Sequence, residues 1–169
     1  MGAGVTVRLA YNADNARRQA QARMIIDSAA RAGITVVDAG KPAGEWGELL
    51  TSEQDKYDAS LFGWQATSLA VTEADATFRC KPLTGVNNHG GYCNPAVDTA
   101  LASLQVALDP AAQVQLQLEI DTALWADAAG ITLFQYPAIW AWDAKLSGVQ
   151  PTPIGPGIVA GFWNWHVAG

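Results

Sequence analysis

Two cysteines, Cys80 and Cys93, bracket a stretch in which Asn87, Asn88, Gly90, Gly91 and Tyr92 crowd together. Thiols at this separation can close the loop as a disulfide, which favours an oxidising compartment, or can stand as two unrelated buried thiols. Both readings stay open at this point. A zinc centre takes four ligands, and the two thiols with His89 supply three. The amides and phenol between the cysteines are groups that could bind a ligand's backbone, although the same composition describes any solvated turn. Upstream, Trp64 ends a β-rich run beside a long irregular segment. In a ligand site its indole provides a broad apolar wall with one N–H donor; otherwise it packs beneath its own loop.

Chemistry of other kinds finds no residues to perform it. The glycine pattern of dinucleotide-binding folds and the Gly-Lys-[Ser/Thr] phosphate loop are absent, and Ala39-Gly40-Lys41-Pro42 is a turn. There is no Gly-x-Ser-x-Gly elbow, and both histidines, His89 and His166, lie in irregular or terminal segments. No nucleophile stands beside a base, so the expectation is a protein that is not an enzyme and uses no cofactor. A net charge of −6, with Arg17 and Arg18 the densest basic pair, gives no stripe that could follow a phosphate backbone; nucleic acid is not an expected partner. No run of about 20 apolar residues is present to span a bilayer. Met1-Gly2-Ala3-Gly4 enters a strand-like segment without a basic or apolar leader, so no signal peptide is read and the start looks like a cut from a longer polypeptide.

These residues need elements to position them. In a chain of 169 residues, half of them hydrophobic and 15% charged, one sizeable core can be buried. Val5–Tyr11 alternates as a strand, and Asn12–Asn15 offers capping side chains. Ala22, Ile25, Ile26 and Ala29 then form a helical stripe ended by Gly33. Ile34–Val37 is a second strand, so the order β-α-β implies a parallel pair. A short helix over Glu45–Gln54 and a third strand over Tyr57–Trp64 follow. The stretch Gln65–Asn94 is irregular apart from a helical piece near Glu73–Phe78. Asn94-Pro95 and Asp109-Pro110 each start a helix with a cap residue and Pro at the first position. Val97, Leu101, Leu104 and Leu108 mark the buried side of the first of these. Leu116, Ile120, Ala123 and Leu124 line the second, which is expected to end at Gly130. Ile131–Trp142 reads as extended, and the Pro-rich tail closes on the aromatic run Phe162–Val167. The expected fold class is α/β, a mostly parallel sheet flanked by helices.

Taken in order, the segments resemble the C-terminal lobe of the oligopeptide/dipeptide-binding family, the extracytoplasmic solute-binding proteins of ABC importers. The resemblance rests on four stretches: the junction Ala32-Gly33-Ile34-Thr35-Val36, the strand Lys56–Trp64 with its Tyr57-Asp58 and Gly63-Trp64 pairs, the element Asn88 through Asn94-Pro95-Ala96-Val97-Asp98, and Leu108-Asp109-Pro110 with the helix after it. It implies one lobe of a periplasmic-binding-protein-like fold that closes with a second lobe on its solute. It also implies that Trp64, Gln65 and Thr67 lie on the cleft wall, with Asn87, Asn88 and Tyr92 as further ligand-binding residues. Family members that bind a free peptide N-terminus often carry an acid after this Gly-Trp; Thr67 stands near that position, and a hydroxyl cannot supply a charge-assisted bond.

On this resemblance residues 1–139 form the ligand-binding lobe, and residues 140–169 an aromatic, Pro-rich return segment that would complete a missing N-terminal lobe. The implied partners are a peptide or similar small solute and, through the full-length protein, an ABC permease. The implied location is extracytoplasmic, membrane-anchored in the full-length protein. The alternating Trp140, Trp142, Trp163 and Trp165 suit a core, or an interface to missing protein that could drive self-association. A structural or interaction module using those tryptophans is the alternative reading, and an α/β enzyme domain with a site in the Gln65–Tyr92 loop is a further one.

Overall fold

In the computed structural model the described residues are 4–64, 70–81, 87–152 and 157–167. They form two compact units, one of residues 1–64 with 89–91 and the other of residues 65–88 with 92–169.

The first unit is built on three strands, β1 (Val5–Ala10), β2 (Ile34–Asp38) and β3 (Ala59–Ser60), in the order β2-β1-β3. All pairings are parallel: Val5 faces Ile34 and Leu9 faces Asp38 across one ladder, and Leu9 faces Ala59 across the other. Helix α1 (Ala16–Arg31) joins the first two strands. The Asn15 side chain caps it, accepting from the Arg17 and Arg18 amides at 3.1 and 3.2 Å. Gly33 then takes the left-handed conformation (φ +77°) needed to turn the chain into β2. Helix α2 (Ala43–Ser52) follows β2.

Strand alternation explains why helices cover both faces of this sheet. Leu9 and Tyr11 project to one side and bury with Ala22 of α1 and Leu61; Ala10 projects to the other and buries with Leu49 and Leu50 of α2 and Tyr57. The Tyr11 hydroxyl donates to Asp38 at 2.9 Å, and the other Asp38 oxygen accepts from the Gly40 amide at 2.9 Å. That turn requires glycine, because a Cβ at residue 40 would sit 2.7 Å from the Tyr11 ring.

The third strand is shorter than the expected Tyr57–Trp64, because its partner runs out. Leu61 donates to Ala10 at 2.8 Å, and β1 ends there. Its other end is held by Asp58, whose carboxylate accepts the Arg8 amide at 2.7 Å and a two-pronged guanidinium contact at 2.9 and 2.8 Å. The Arg8 hydrogen bonds hold the Asp58 carboxyl down at about 2. A carboxyl depressed on folding stabilises the fold above its unfolded value, and that contribution is lost as pH falls through the folded value. Melting temperature followed from pH 5 to pH 2 should therefore fall less steeply in Asp58→Asn than in the parent. The variant should melt lower at pH 6, with the curves converging toward pH 2.

The second unit is helical, with α3 (Ala70–Phe78), α4 (Pro95–Val106) and α5 (Pro110–Ala126). The Asn94 and Asp109 side chains cap α4 and α5 through the amides of Ala96 and Ala111 at 2.9 and 3.1 Å, with proline at both first positions. Val97, Leu101, Leu104 and Ile120 are buried together, with Leu116, Ala123, Leu124, Phe78 and Tyr92 packed around them. Leu108, expected on the buried side, is 93% exposed: α4 ends at Val106, so Leu108 falls in the inter-helix turn and off the helical period. Helix α5 ends at Ala126 rather than at Gly130, and Ala128 (φ +51°) takes the left-handed position just beyond it.

Residues 131–142, expected to be extended, form no strand and are exposed throughout, having no partner strand among the described residues. Two short strands, β4 (Leu146–Ser147) and β5 (His166–Val167), pair antiparallel. The Trp140 ring closes over Gly157, where a Cβ would lie 2.3 Å from it and φ is +56°, so glycine is required there too.

Candidate functional site

In open α/β sheets, ligands gather beyond the carboxyl ends of the strands, where the loops leave the sheet. In the first unit the end of β1 leads to the first turn of α1, which carries Arg18. The end of β2 leads to the first turn of α2, which carries Trp46. The end of β3 leads directly to Phe62 and Trp64. Phe62 is the centre of this group. Its ring centroid lies 4.6 Å from that of Trp64, 6.1 Å from Trp46 in a stacked arrangement (19° between planes) and 6.1 Å from His89. The Arg18 guanidinium stands 5.4 Å from the Phe62 centroid, within cation–π range, and Nη1 donates to the Leu61 carbonyl.

This cluster has a buried base and an open top. Leu61 sits in one core cluster, and Trp46 packs against the Leu49–Leu50 cluster. Phe62 and Trp64 are 36% and 47% exposed. Large aromatic surface is thus held fixed by the core yet left accessible, the combination a solute wall needs.

In the second unit, Cys80 and Cys93 are joined in a disulfide with Cα atoms 4.6 Å apart. The bond closes the loop containing Asn87, Asn88 and the return to Tyr92. Asn88 is buried, and both amide hydrogens are engaged: Nδ2 donates to the Arg79 carbonyl at 3.1 Å and the Tyr92 carbonyl at 2.6 Å, while Oδ1 accepts from the Tyr92 amide at 3.0 Å. The Tyr92 hydroxyl donates to Asp127 at 2.7 Å, and its ring stands edge-on to Phe78. Asn94 donates to the same Asp127 oxygen at 2.7 Å. The bonds from Asn94 and Tyr92 hold the Asp127 carboxyl below its usual range; burial, with Asp127 beside it, pushes the Tyr92 phenol up. Asn87 is exposed, its amide donating to the Ala76 carbonyl at 2.9 Å.

Of the residues singled out in the sequence, Trp64 thus belongs to the aromatic cluster of the first unit, and Asn87, Asn88 and Tyr92 to the closed loop of the second. Gln65 and Thr67 lie outside the described residues. Sequence reading missed Phe62 as the neighbour of Trp64, the grouping of Trp46, Arg18 and His89 around Phe62, and Asp127 as the partner of Tyr92. One signal was present: Phe62 and Trp64 are two apart in an extended run and share a face. Among the described residues no group of three or more His, Cys, Asp and Glu could hold a metal ion, and no helix is long and apolar enough to cross a membrane.

No family model matches the sequence. The chain is 30% identical over 172 residues to an uncharacterized lipoprotein of Mycobacterium tuberculosis, a match covering 99% of this chain and 30% of that protein. The chain therefore spans under a third of the length of that relative. Among solved structures it is similar to OppA of Haemophilus influenzae in complex with the peptide RPPGFSPFR, with a TM-score of 0.72 and 18% identity over 98% of this chain and 31% of that one. It is also similar to NikZ from Campylobacter jejuni in complex with Ni(L-His), with a TM-score of 0.68 and 14% identity over 95% of this chain and 33% of that one. At these identities the likeness establishes the fold. The parallel sheet flanked by helices is the fold that this chain shares with those two structures.

Proposed function

We infer that this chain, sharing the fold of solute-binding proteins, is one lobe of the solute-binding component of an ABC importer, and that it captures a peptide or similar small solute without chemical change. The observation that carries this reading is the exposed aromatic cluster at the carboxyl edge of the parallel strands, standing on a buried base. Trp64 supplies an apolar wall, and Gln65, Thr67 and Asn87 are further candidates for polar contacts to the solute. Asn88 and Tyr92 act one step back, holding the Cys80–Cys93 loop in shape. The remaining two-thirds of the longer relative provides for an opposing N-terminal lobe, and residues 140–169 return toward it. The relative's description as a lipoprotein, with the disulfide, supports an extracytoplasmic, membrane-anchored setting next to a permease.

A thermal-shift screen of the full-length protein against di- to octapeptides, sugars, amino acids and nickel–histidine tests the reading. A solute at a hundred times its dissociation constant stabilises the folded state by about 2.7 kcal/mol, so a clear rise in melting temperature is the expected result. The exposed Ile131, Ile139, Phe162 and Trp163 favour a second reading, a docking module. Self-association of the full-length protein with concentration, without a shift from any solute, would replace the first reading by that one.

A further inference from the structure

We propose that Trp46, Phe62 and Trp64, with His89 at their side, form one continuous platform that stacks a planar ring of the captured solute, so that the preferred ligands are peptides bearing an aromatic side chain rather than small hydrophilic solutes. The proposal rests on the solute-binding reading and narrows it to a ligand class.

Three observations carry it. The first is extent: Phe62 links Trp64 at 4.6 Å to Trp46 at 6.1 Å, so the apolar surface is longer than one ring. A single wall tryptophan suits any solute, whereas a strip of three suits a group with a face of its own, because rings pair best offset or edge-on at such centroid distances. The second is support. Arg18 stands 5.4 Å from the Phe62 centroid with Nη1 tied to the Leu61 carbonyl, and Trp46 is backed by Leu49 and Leu50. Rings fixed in this way lose little conformational freedom when a ligand stacks on them. The third is charge. The Arg18 cation stands against the Phe62 ring. A ligand ring carried beside a carboxylate is therefore favoured there over one carried beside an ammonium.

The test is isothermal titration of the full-length protein with the tripeptides Ala-Trp-Ala and Ala-Ala-Ala, repeated on Phe62→Ala, Trp46→Leu and Trp64→Leu. The platform predicts that the tryptophan peptide binds on the order of ten-fold tighter than the alanine peptide, and that each substitution shrinks this ratio toward one by weakening the tryptophan peptide more than the alanine peptide. Equal affinities of the parent protein for the two peptides would overturn the platform and leave the solute-binding reading standing. No binding of either peptide, or of any solute in the thermal-shift screen, would overturn both. Variants that melt lower but keep the parent's peptide ratio would show that the rings are packing elements and would also overturn the platform.

Discussion

Removing the Cys80–Cys93 bond is expected to destabilise the helical unit by about 3 kcal/mol, the loop-closure figure for a cross-link spanning roughly fifteen residues. The sequence separation here is 13. The bond ties the second residue past α3 to the residue just before the Asn94 cap of α4. Without it, the hydrogen bonds of Asn88 must order the loop alone, and each contributes only about 1 kcal/mol net. The Cys80 amide also donates to Asp98 at 3.0 Å, so the loop's entry is coupled to the first turn of α4. The measurement is denaturant unfolding of the parent protein, with and without reductant, beside the Cys80→Ser/Cys93→Ser pair. The reduced protein and the double variant should lose the same stability, and reductant should leave the double variant unchanged. Amide exchange in β1 and α2 should stay close to the parent's, since the core residues of that unit are not shared with the helical one. An unchanged unfolding midpoint would mean that the hydrogen-bonded loop is ordered without the bond.

The parts of this fold that were legible in the sequence are those written in local chemistry. Asn15 before α1, Gly33 after it, Asn94-Pro95 and Asp109-Pro110 each specify a helix end through one side chain or one φ angle, and each functions so in the structure. The β1-α1-β2 parallel pair was legible for the same reason. The misread elements depend on partners that periodicity cannot reveal. Tyr57–Trp64 has the composition of a strand throughout, but only Ala59–Ser60 pairs, because β1 ends at Ala10. Leu108 continues the apolar spacing of α4, yet the helix stops at Val106. Residues 131–142 read as extended, and whether such a segment joins a ladder is set by a partner strand, of which none lies among the described residues. The candidate site divides in the same way. Trp64 was visible from its neighbours in sequence, whereas Trp46, Arg18 and His89 reach Phe62 from three other segments and meet it only once the sheet has formed. The Tyr92 hydroxyl donates to Asp127, 35 residues away, a pairing that no local pattern announces.

Leu101→Ala is the single substitution expected to cost the helical unit most, about 2–5 kcal/mol. Leu101 is fully buried, and it lies one turn from both Val97 and Leu104 on α4, with Ile120 of α5 completing the cluster. Truncation removes apolar contact and leaves a cavity that neighbours on two capped helices can fill only partly, so the transfer and cavity losses add. Leu118 on α5 is the matched control: it has the same side chain but is 55% exposed, and its replacement by alanine should stay within about 0.5 kcal/mol. Leu101→Met, which nearly conserves volume, should cost less than about 1.5 kcal/mol. Urea unfolding decides among these outcomes. Leu101→Ala should lower the midpoint with little change in slope, because stability rather than exposed area is altered. Equal midpoints for Leu101→Ala and Leu118→Ala would show that the α4–α5 contact is not the core of this unit. The functional consequence runs through Tyr92, which packs on the same cluster while its hydroxyl holds Asp127 beyond the end of α5. Loosening Leu101 should therefore raise amide exchange at Asn88 and Tyr92 before the rest of the loop, an order that bare loop fraying would not produce.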